Sequence, residues 1–259
     1  MTISIGLMMF PVLMIFIFIG FPVAFSLMGV AVLFGYLRFG DLLVHQLVAK
    51  VDDVASYYVL SAVPLFIFMG CMLEKSGISE KLFEAMHLIT RKLPGGLAVA
   101  TIILCVFFAA ASGVVGAAES VVGLMVITVM LRHGYNKGLI SGTICAGGSL
   151  GTIIPPSAVV VILSPIAGVG VGNLFVGIMI PGLILAALYI FYILIRCTIW
   201  PTDGPSDHIE TKSTSLIQDV WIIITALVPL LTLIFSVLGS IMLGWATPTE
   251  AGAMGALGT

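Results

Sequence analysis

The chain alternates between long apolar runs and short polar segments. A helix needs about 20 apolar residues to cross a bilayer. Three uninterrupted runs have about that length: residues 56–73, 174–195 and 220–243. Three further runs, residues 3–37, 97–131 and 137–169, are interrupted by Gly, Ser or Pro. The strands of membrane barrels alternate in polarity, whereas these runs are continuously apolar. The pattern predicts an all-α integral membrane protein with several spans.

Composition agrees with this class, since 60% of the 259 residues are hydrophobic and 8% are charged. Soluble domains carry about 25% charged residues. The net charge of −2 says little about partners, and no segment resembles a nucleic-acid-binding patch. The four cysteines form no metal-binding spacing, and no zinc-protease or phosphate-loop motif is present. We therefore expect neither an enzyme nor an organic cofactor.

Two of the interrupted runs allow more than one interpretation. Gly20-Phe21-Pro22 divides residues 3–37 into either one long kinked span or two short ones. Residues 97–131 are interrupted at residues 111–116, which leaves arms of about 15 residues, or ~22 Å. Such arms fall short of the ~30 Å hydrocarbon core. A re-entrant hairpin is therefore favoured over two full spans.

Basic residues flank this hairpin on both sides. Four precede it and two follow it: Lys75, Lys81, Arg91, Lys92, Arg132 and Lys137. The positive-inside rule predicts that both flanks are cytoplasmic. A helix of about ten residues from Lys137 would then end near the bilayer midplane, at Gly147, where the hairpin tip can meet it.

The third interrupted run contains the densest group of helix-breaking residues. The pattern predicts a first half-helix ending at Gly147-Gly148, whose last carbonyls suit a cation. A second half-helix is predicted to start at Pro155-Pro156, with free amides that suit an anion. The candidate cation and substrate site comprises Ser112, Gly113, Gly148, Ser149, Gly151, Thr152, Pro155, Pro156 and Ser157. The simpler alternative is a Gly/Pro kink that serves helix packing.

Glu119 is the only ionisable residue of the predicted hairpin. Charges inside membrane segments are costly and usually functional. The carboxylate would line a cavity, bind a cation or relay protons. A structural hydrogen bond is an equally good interpretation.

Three segments complete the predicted organisation. Residues 74–95 are amphipathic, which is typical of an interfacial helix serving either as a surface anchor or as a rigid arm. Residues 200–215 are polar and predict a cytoplasmic linker, and Thr247 to Glu250 predict a helix start. The predicted parts are scaffold helices at 1–73, the arm at 74–95, transport elements at 96–195, a linker at 196–216 and a further helical part at 217–259.

Several motifs together resemble the large membrane subunit of tripartite ATP-independent periplasmic (TRAP) transporters. They are residues 20–25 (GFPVAF), 107–123, 130–137 (MLRHGYNK), 141–157 (SGTICAGGSLGTIIPPS) and 244–251 (GWATPTEA). The stretch 141–157 is the most specific of them.

The resemblance implies an elevator-type fold of the ion-transporter superfamily, with a hairpin and a broken helix in each of two inverted repeats. It implies Na⁺-coupled uptake of organic acids in the bacterial inner membrane. The implied partners are a periplasmic binding protein and a small four-helix membrane subunit. At the matching positions of this sequence, the resemblance implies that Na⁺ is bound mostly by backbone atoms of Ser112, Gly113, Gly148 and Gly151.

Two departures from the family qualify what the resemblance implies. No second hairpin and no second GxLGxxxPP motif follow, so we expect a first repeat and the opening of a second. Near the hairpin tip, many members of the family have polar residues where this chain has Val114, Val115 and Glu119. The substrate of those members therefore cannot be assigned to this chain. Another secondary transporter, a channel-like subunit and a non-transporting fragment remain as alternatives.

Overall fold

The computed structural model describes residues 2–113, 117–205 and 216–259. Within these ranges it leaves out the side chains of residues 2–5, 112, 117–119, 121, 216–220 and 222. The structure is 83% helical, and no strand occurs in the described ranges. The prediction of an all-α membrane protein is confirmed.

The chain divides into two compact units, Met1–Tyr58 and Val59–Thr259. The first unit contains α1 (Thr2–Ile19), α2 (Val23–Phe39) and α3 (Leu42–Ala55). The interruption at residues 20–22 thus separates two helices that contact each other. Their 18 and 17 residues correspond to ~27 and ~25 Å.

The second unit contains the remaining helices. They are α4 (Ala62–Lys75), α5 (Ile78–Thr90), α6 (Gly96–Ser112), α7 (Ala117–Arg132), α8 (Lys137–Ile153), α9 (Ala158–Ala167), α10 (Val171–Ile199), α11 (Leu216–Ile234), α12 (Ser240–Met242) and α13 (Pro248–Gly258). A short 3₁₀ turn, Tyr58–Ser61, precedes α4, and a π-helical stretch, Phe235–Gly239, joins α11 to α12.

Three stretches within this part of the structure are long and apolar enough to cross a bilayer: Tyr58–Lys75, Val171–Ile199 and Ile223–Met242. They correspond to the three uninterrupted runs. The bent pair formed by α8 and α9 provides a fourth span if it is counted as one.

Helix α6 lies at the centre of the second unit and packs against α4, α5, α7, α8, α10 and α11. It is apolar on all sides, as expected of a helix surrounded by others. Ile102 and Leu104 on α6, together with Phe66 on α4, are fully buried. The element predicted as a hairpin arm is therefore the core of this unit.

Helices α6 and α7 pack against each other as an antiparallel pair. The Leu97 amide at the start of α6 donates to the hydroxyl of Tyr135, just after α7, at 3.3 Å. The ends of the pair therefore lie side by side, as a hairpin requires. Its re-entrant placement in the bilayer stays a prediction.

The amphipathic segment contains α5, whose apolar face packs on protein. Leu82, Phe83 and Met86 are buried, and α5 contacts α4, α6 and α11. Ile89, by contrast, is 52% exposed. The face that a surface anchor would insert into lipid is thus largely covered by neighbouring helices. The role as an arm stays a prediction.

The predicted helix start at Thr247 is confirmed. The Thr247 hydroxyl accepts from the Glu250 amide at 3.4 Å, and the Glu250 carboxylate accepts from the Thr247 amide at 2.8 Å. These bonds form a capping box with Pro248 as the first helical residue. The hydrogen bond from the Thr247 amide lowers the pKa of Glu250, which stabilises its charged form.

Candidate functional site

The helix break lies further along the chain than the sequence pattern predicts. Helix α8 runs through Gly147, Gly148 and Gly151 and ends at Ile153. Residues 154–157 are not helical, and α9 starts at Ala158 after a bend of 42°. The predicted end at Gly147-Gly148 is wrong, and so is the predicted start of the second half-helix at the prolines.

Gly147 serves helix packing instead. A Cβ atom built on it would lie 2.6 Å from Sγ and 3.0 Å from Cβ of Cys105 on α6. Any larger residue would push α8 away from the central helix, to which it is closely packed. The glycine therefore allows close approach inside a helix rather than ending it.

The two prolines explain where α8 does end. Pro155 and Pro156 have no N–H, so the carbonyls of Gly151 and Thr152 cannot receive their α-helical hydrogen bonds. Ile154 is extended (ψ 123°), as the residue before a proline prefers. The Ser157 hydroxyl donates to the Thr152 carbonyl at 2.9 Å and thereby replaces one of the two missing bonds.

The tip of the hairpin meets this break. The Ala158 amide donates to the Gly113 carbonyl at 3.2 Å. Gly113 has φ +60°, and a Cβ atom there would overlap the carbonyl oxygen of Pro156. The position thus requires glycine both for its backbone conformation and for the close approach. The predicted contact between tip and break is present, but it lies at Pro156 and Ala158 and not at Gly147, as the pattern predicted.

Helix α10 supports the break from another side. A Cβ atom built on Gly182 would lie 3.1 Å from Cγ2 of Ile153 and 3.2 Å from Cγ1 of Ile154. Ile154 is 4% exposed, and Ser157 is fully buried. The irregular backbone is therefore enclosed by protein, as it must be at membrane depth.

The candidate residues do not all reach the break. Gly148 lies inside α8. The Ser149 and Thr152 hydroxyls donate to the carbonyls of Ala146 and Ser149, each at 2.7 Å. These oxygens keep lone pairs that can accept but no longer have a proton to donate. Pro155, Pro156 and Ser157 form the break itself, and all three are buried.

The chemistry available at the break is that of carbonyl oxygens. Gly151 is buried, and its carbonyl is one of two that lose a helical donor to proline. It lies in the last turn of α8, where the helix dipole is negative. Hard cations prefer oxygen ligands of this kind. The donor set thus fits a cation such as Na⁺, with Gly151 a better candidate than Gly148.

Two predicted residues have side chains outside the described part of the structure. Ser112 is the last residue of α6, next to the contact made by Gly113, and Glu119 lies in the first turn of α7. Residues 114–116, including Val114 and Val115, are also outside it. The roles of Ser112 and Glu119 stay predictions.

Comparison of the sequence with known protein families shows which family the chain belongs to. The chain matches the family described as "Tripartite ATP-independent periplasmic transporter, DctM component" over residues 10–259. The chain belongs to the DctM family of TRAP transporters.

Several curated relatives share this assignment. The chain is 32% identical to the C4-dicarboxylate TRAP transporter large permease protein DctM of Pseudomonas aeruginosa, over 83% of the chain and 48% of the relative. It is 31% identical to the protein of the same name from Vibrio cholerae, over 92% and 51%. It is also 31% identical to the isethionate TRAP transporter permease protein DctMQ of Oleidesulfovibrio alaskensis, over 93% and 37%.

The chain thus spans about half the length of the two large permease proteins, and less of the DctMQ protein. All three relatives are named as transporter permeases and not as enzymes. The family assignment agrees with the resemblance based on the motif at residues 141–157.

One polar network, near the turn between α7 and α8, was not predicted from the sequence. The Asn136 side chain caps α8 by accepting from the Gly138 amide at 2.8 Å, and it donates to Oδ1 of Asp203 at 2.9 Å. Oδ2 of Asp203 accepts from Arg196 Nε at 3.0 Å. The network ties the α7–α8 turn to the end of α10. Asp203 stood out only as one acidic residue in a polar linker.

Proposed function

We propose that the chain forms part of the permease subunit of a secondary importer that couples organic-acid uptake to Na⁺. The permease would be a multi-pass protein of the bacterial inner membrane. It would receive substrate from a periplasmic binding protein and assemble with a small four-helix membrane subunit. Family membership and the enclosed break at residues 154–157 support this proposal.

The contact between the hairpin tip and the break is the observation that carries the proposal. A helix interrupted at membrane depth exposes backbone dipoles to a solute. Here the tip at Gly113 lies against Pro156 and Ala158, so a bound ion and the two elements can stabilise each other. Such mutual stabilisation is what coupling between ion and substrate requires.

The residues proposed to hold Na⁺ follow from this geometry. The Gly151 carbonyl and the backbone of Ser112 and Gly113 would provide oxygen ligands. The first turn of α9 would provide amides for a carboxylate, because the first N–H groups of a helix have no intrahelical partner. The Ala158 amide already donates to Gly113, which leaves Val159 and Val160 as the candidate donors.

The substrate class is proposed from the relatives. Two of the reported relatives are named for C4-dicarboxylates and one for isethionate, a sulfonate. All are small organic anions. We therefore propose a small carboxylate or sulfonate, with a C4-dicarboxylate as the first compound to test.

The test is uptake of a radiolabelled C4-dicarboxylate into proteoliposomes. These would contain a permease with this chain, the small membrane subunit and the binding protein. Pro155→Ala restores an N–H that can bond the Gly151 carbonyl, so Na⁺ would lose a ligand. We expect uptake to lose most of its dependence on an inward Na⁺ gradient while the protein still assembles.

Pro229→Ala is the matched control, because Pro229 is an exposed proline within α11, which does not pack extensively against α8 or α9 in the described structure. This variant should transport like the wild type. If uptake by the wild type does not depend on the Na⁺ gradient, the proposed coupling to Na⁺ is wrong. A conductance that does not saturate with substrate would favour a channel instead.

A further inference from the structure

An amphipathic cavity lies between α6, α8 and α10. Its lining residues on α8 precede Gly147, whereas the break follows it. The cavity has a volume of about 410 Å³. Ile102, Gly142, Thr143, Tyr189 and Arg196 are among the residues that line it. The volume lies within the range of sites that hold small molecules.

The cavity is elongated along the helices. Its lining on α8 extends from Gly138 to Ala146, eight residues apart, which corresponds to ~12 Å. Its lining on α10 extends from Tyr189 to Arg196. An extended chain therefore fits the cavity better than a compact solute.

Polarity changes along this length. Arg196 and Tyr192 lie at the end near the start of α8, and they also line an adjacent cavity of about 490 Å³ together with Trp200. Ala146 lies at the other end of the α8 lining, and Ile102 adds an apolar wall from α6. Arg, Tyr and Trp at the end of a long apolar helix are typical of the membrane–water interface.

Arg196 retains capacity to bind an anion. Its Nε and Nη2 contact Oδ2 of Asp203 at 3.0 Å, and its Nη1 donates to the Tyr192 hydroxyl at 2.9 Å. Three of the five guanidinium N–H groups are thus engaged within the described structure. The Tyr192 hydroxyl accepts in this contact, so its own proton remains to be donated.

We propose that this cavity binds one membrane phospholipid. The phosphate contacts Arg196 and the Tyr192 hydroxyl at the interface, beside Trp200. An acyl chain lies along Gly142 and Ala146. A phospholipid accounts for the charged end and for the apolar remainder. A short dicarboxylate leaves the apolar part unfilled.

The test is native mass spectrometry of the purified chain with added phosphatidylglycerol. Gly142→Leu fills the cavity, and a Cβ atom built on Gly142 has no neighbour within 4 Å, so the helix itself is not strained. We expect the retained lipid to fall about tenfold, since the acyl chain loses its buried surface. Gly177→Leu on α10 is the matched control, because Gly177 is exposed and equally open.

One further arm tests the part played by the acyl chain. Glycerol phosphate added in excess should not displace the lipid, because it lacks the acyl chain. Circular dichroism checks that each variant is folded. Equal lipid retention by the wild type, Gly142→Leu and Gly177→Leu would overturn the proposal, as would a wild type that binds no lipid.

Discussion

Two interruptions in this chain both contain proline but have different surroundings. Gly20-Phe21-Pro22 separates α1 from α2, and a Cβ atom built on Gly20 has no neighbour within 4 Å. All three residues are exposed within the described structure. At the second interruption, residues 154–157, every residue is buried. Proline thus indicates where a helix stops, whereas the neighbours determine whether the exposed backbone forms a site.

The largest effect is expected from a side chain at Gly113, where the hairpin tip contacts the break. Gly113→Ala places a methyl group against the Pro156 carbonyl and forces alanine into left-handed backbone. We expect the free energy of unfolding to fall by about 3 kcal/mol from strain and overpacking together. We also expect Na⁺-dependent uptake to be abolished. The measurements are denaturation in detergent and the proteoliposome assay.

Gly20→Ala is the matched variant, because Gly20 also has positive φ (+99°) but no close neighbour. It should lower stability by only about 1–2 kcal/mol through backbone strain and leave uptake unchanged. Similar losses of uptake in both variants would remove the distinction between the two interruptions.

A smaller effect is expected at Ser157. Ser157→Ala removes the hydroxyl that donates to Thr152 and leaves a half-buried carbonyl without that partner. We expect stability to fall by about 1–3 kcal/mol. Ser141→Ala is the control, since the Ser141 hydroxyl bonds the Gly138 carbonyl at an exposed position. Equal stability of the two variants would show that the hydroxyl does not support the break.

The smallest effect separates packing from unwinding in α8. Gly147→Ala adds a methyl group against Cys105, at an expected net cost of about 1 kcal/mol after the gain in helix propensity. Gly142→Ala has no neighbour to displace and should stabilise the helix by up to about 1 kcal/mol. If Gly147→Ala is as stable as Gly142→Ala but cannot transport, the unwound segment begins at Gly147 after all.

Much of the fold follows from local sequence properties. Apolar run length predicts the three spans, and the Thr247 cap predicts the start of α13, because both depend on neighbouring residues alone. The short arms of residues 97–131 also predict a hairpin whose tip reaches the break. The contact of Gly113 with Pro156 and Ala158 agrees with that reasoning.

The details of the site depend on distant residues and were predicted less well. Gly147 suggests a helix end when considered alone, and only the packing of Cys105 shows its purpose. Ser157 suggests a ligand group, yet its hydroxyl bonds back to Thr152. The absence of N–H groups at Pro155 and Pro156 was visible in the sequence and locates the end of α8 correctly. The glycines misled because they allow close packing as readily as they allow a turn.

The bond between hairpin and break tests the central claim most directly. Solid-state NMR of the chain in bilayers, with ¹³C-carbonyl glycine and ¹⁵N-alanine, measures the coupling from the Gly113 carbonyl to the Ala158 amide. The Ala158→Ser variant should lack the signal of this coupling, and its loss identifies the signal in the wild-type spectrum. The 3.2 Å N···O distance predicts a clear dipolar coupling for this pair. If the wild-type and Ala158→Ser spectra are identical, the tip does not contact the break and the proposed site does not exist.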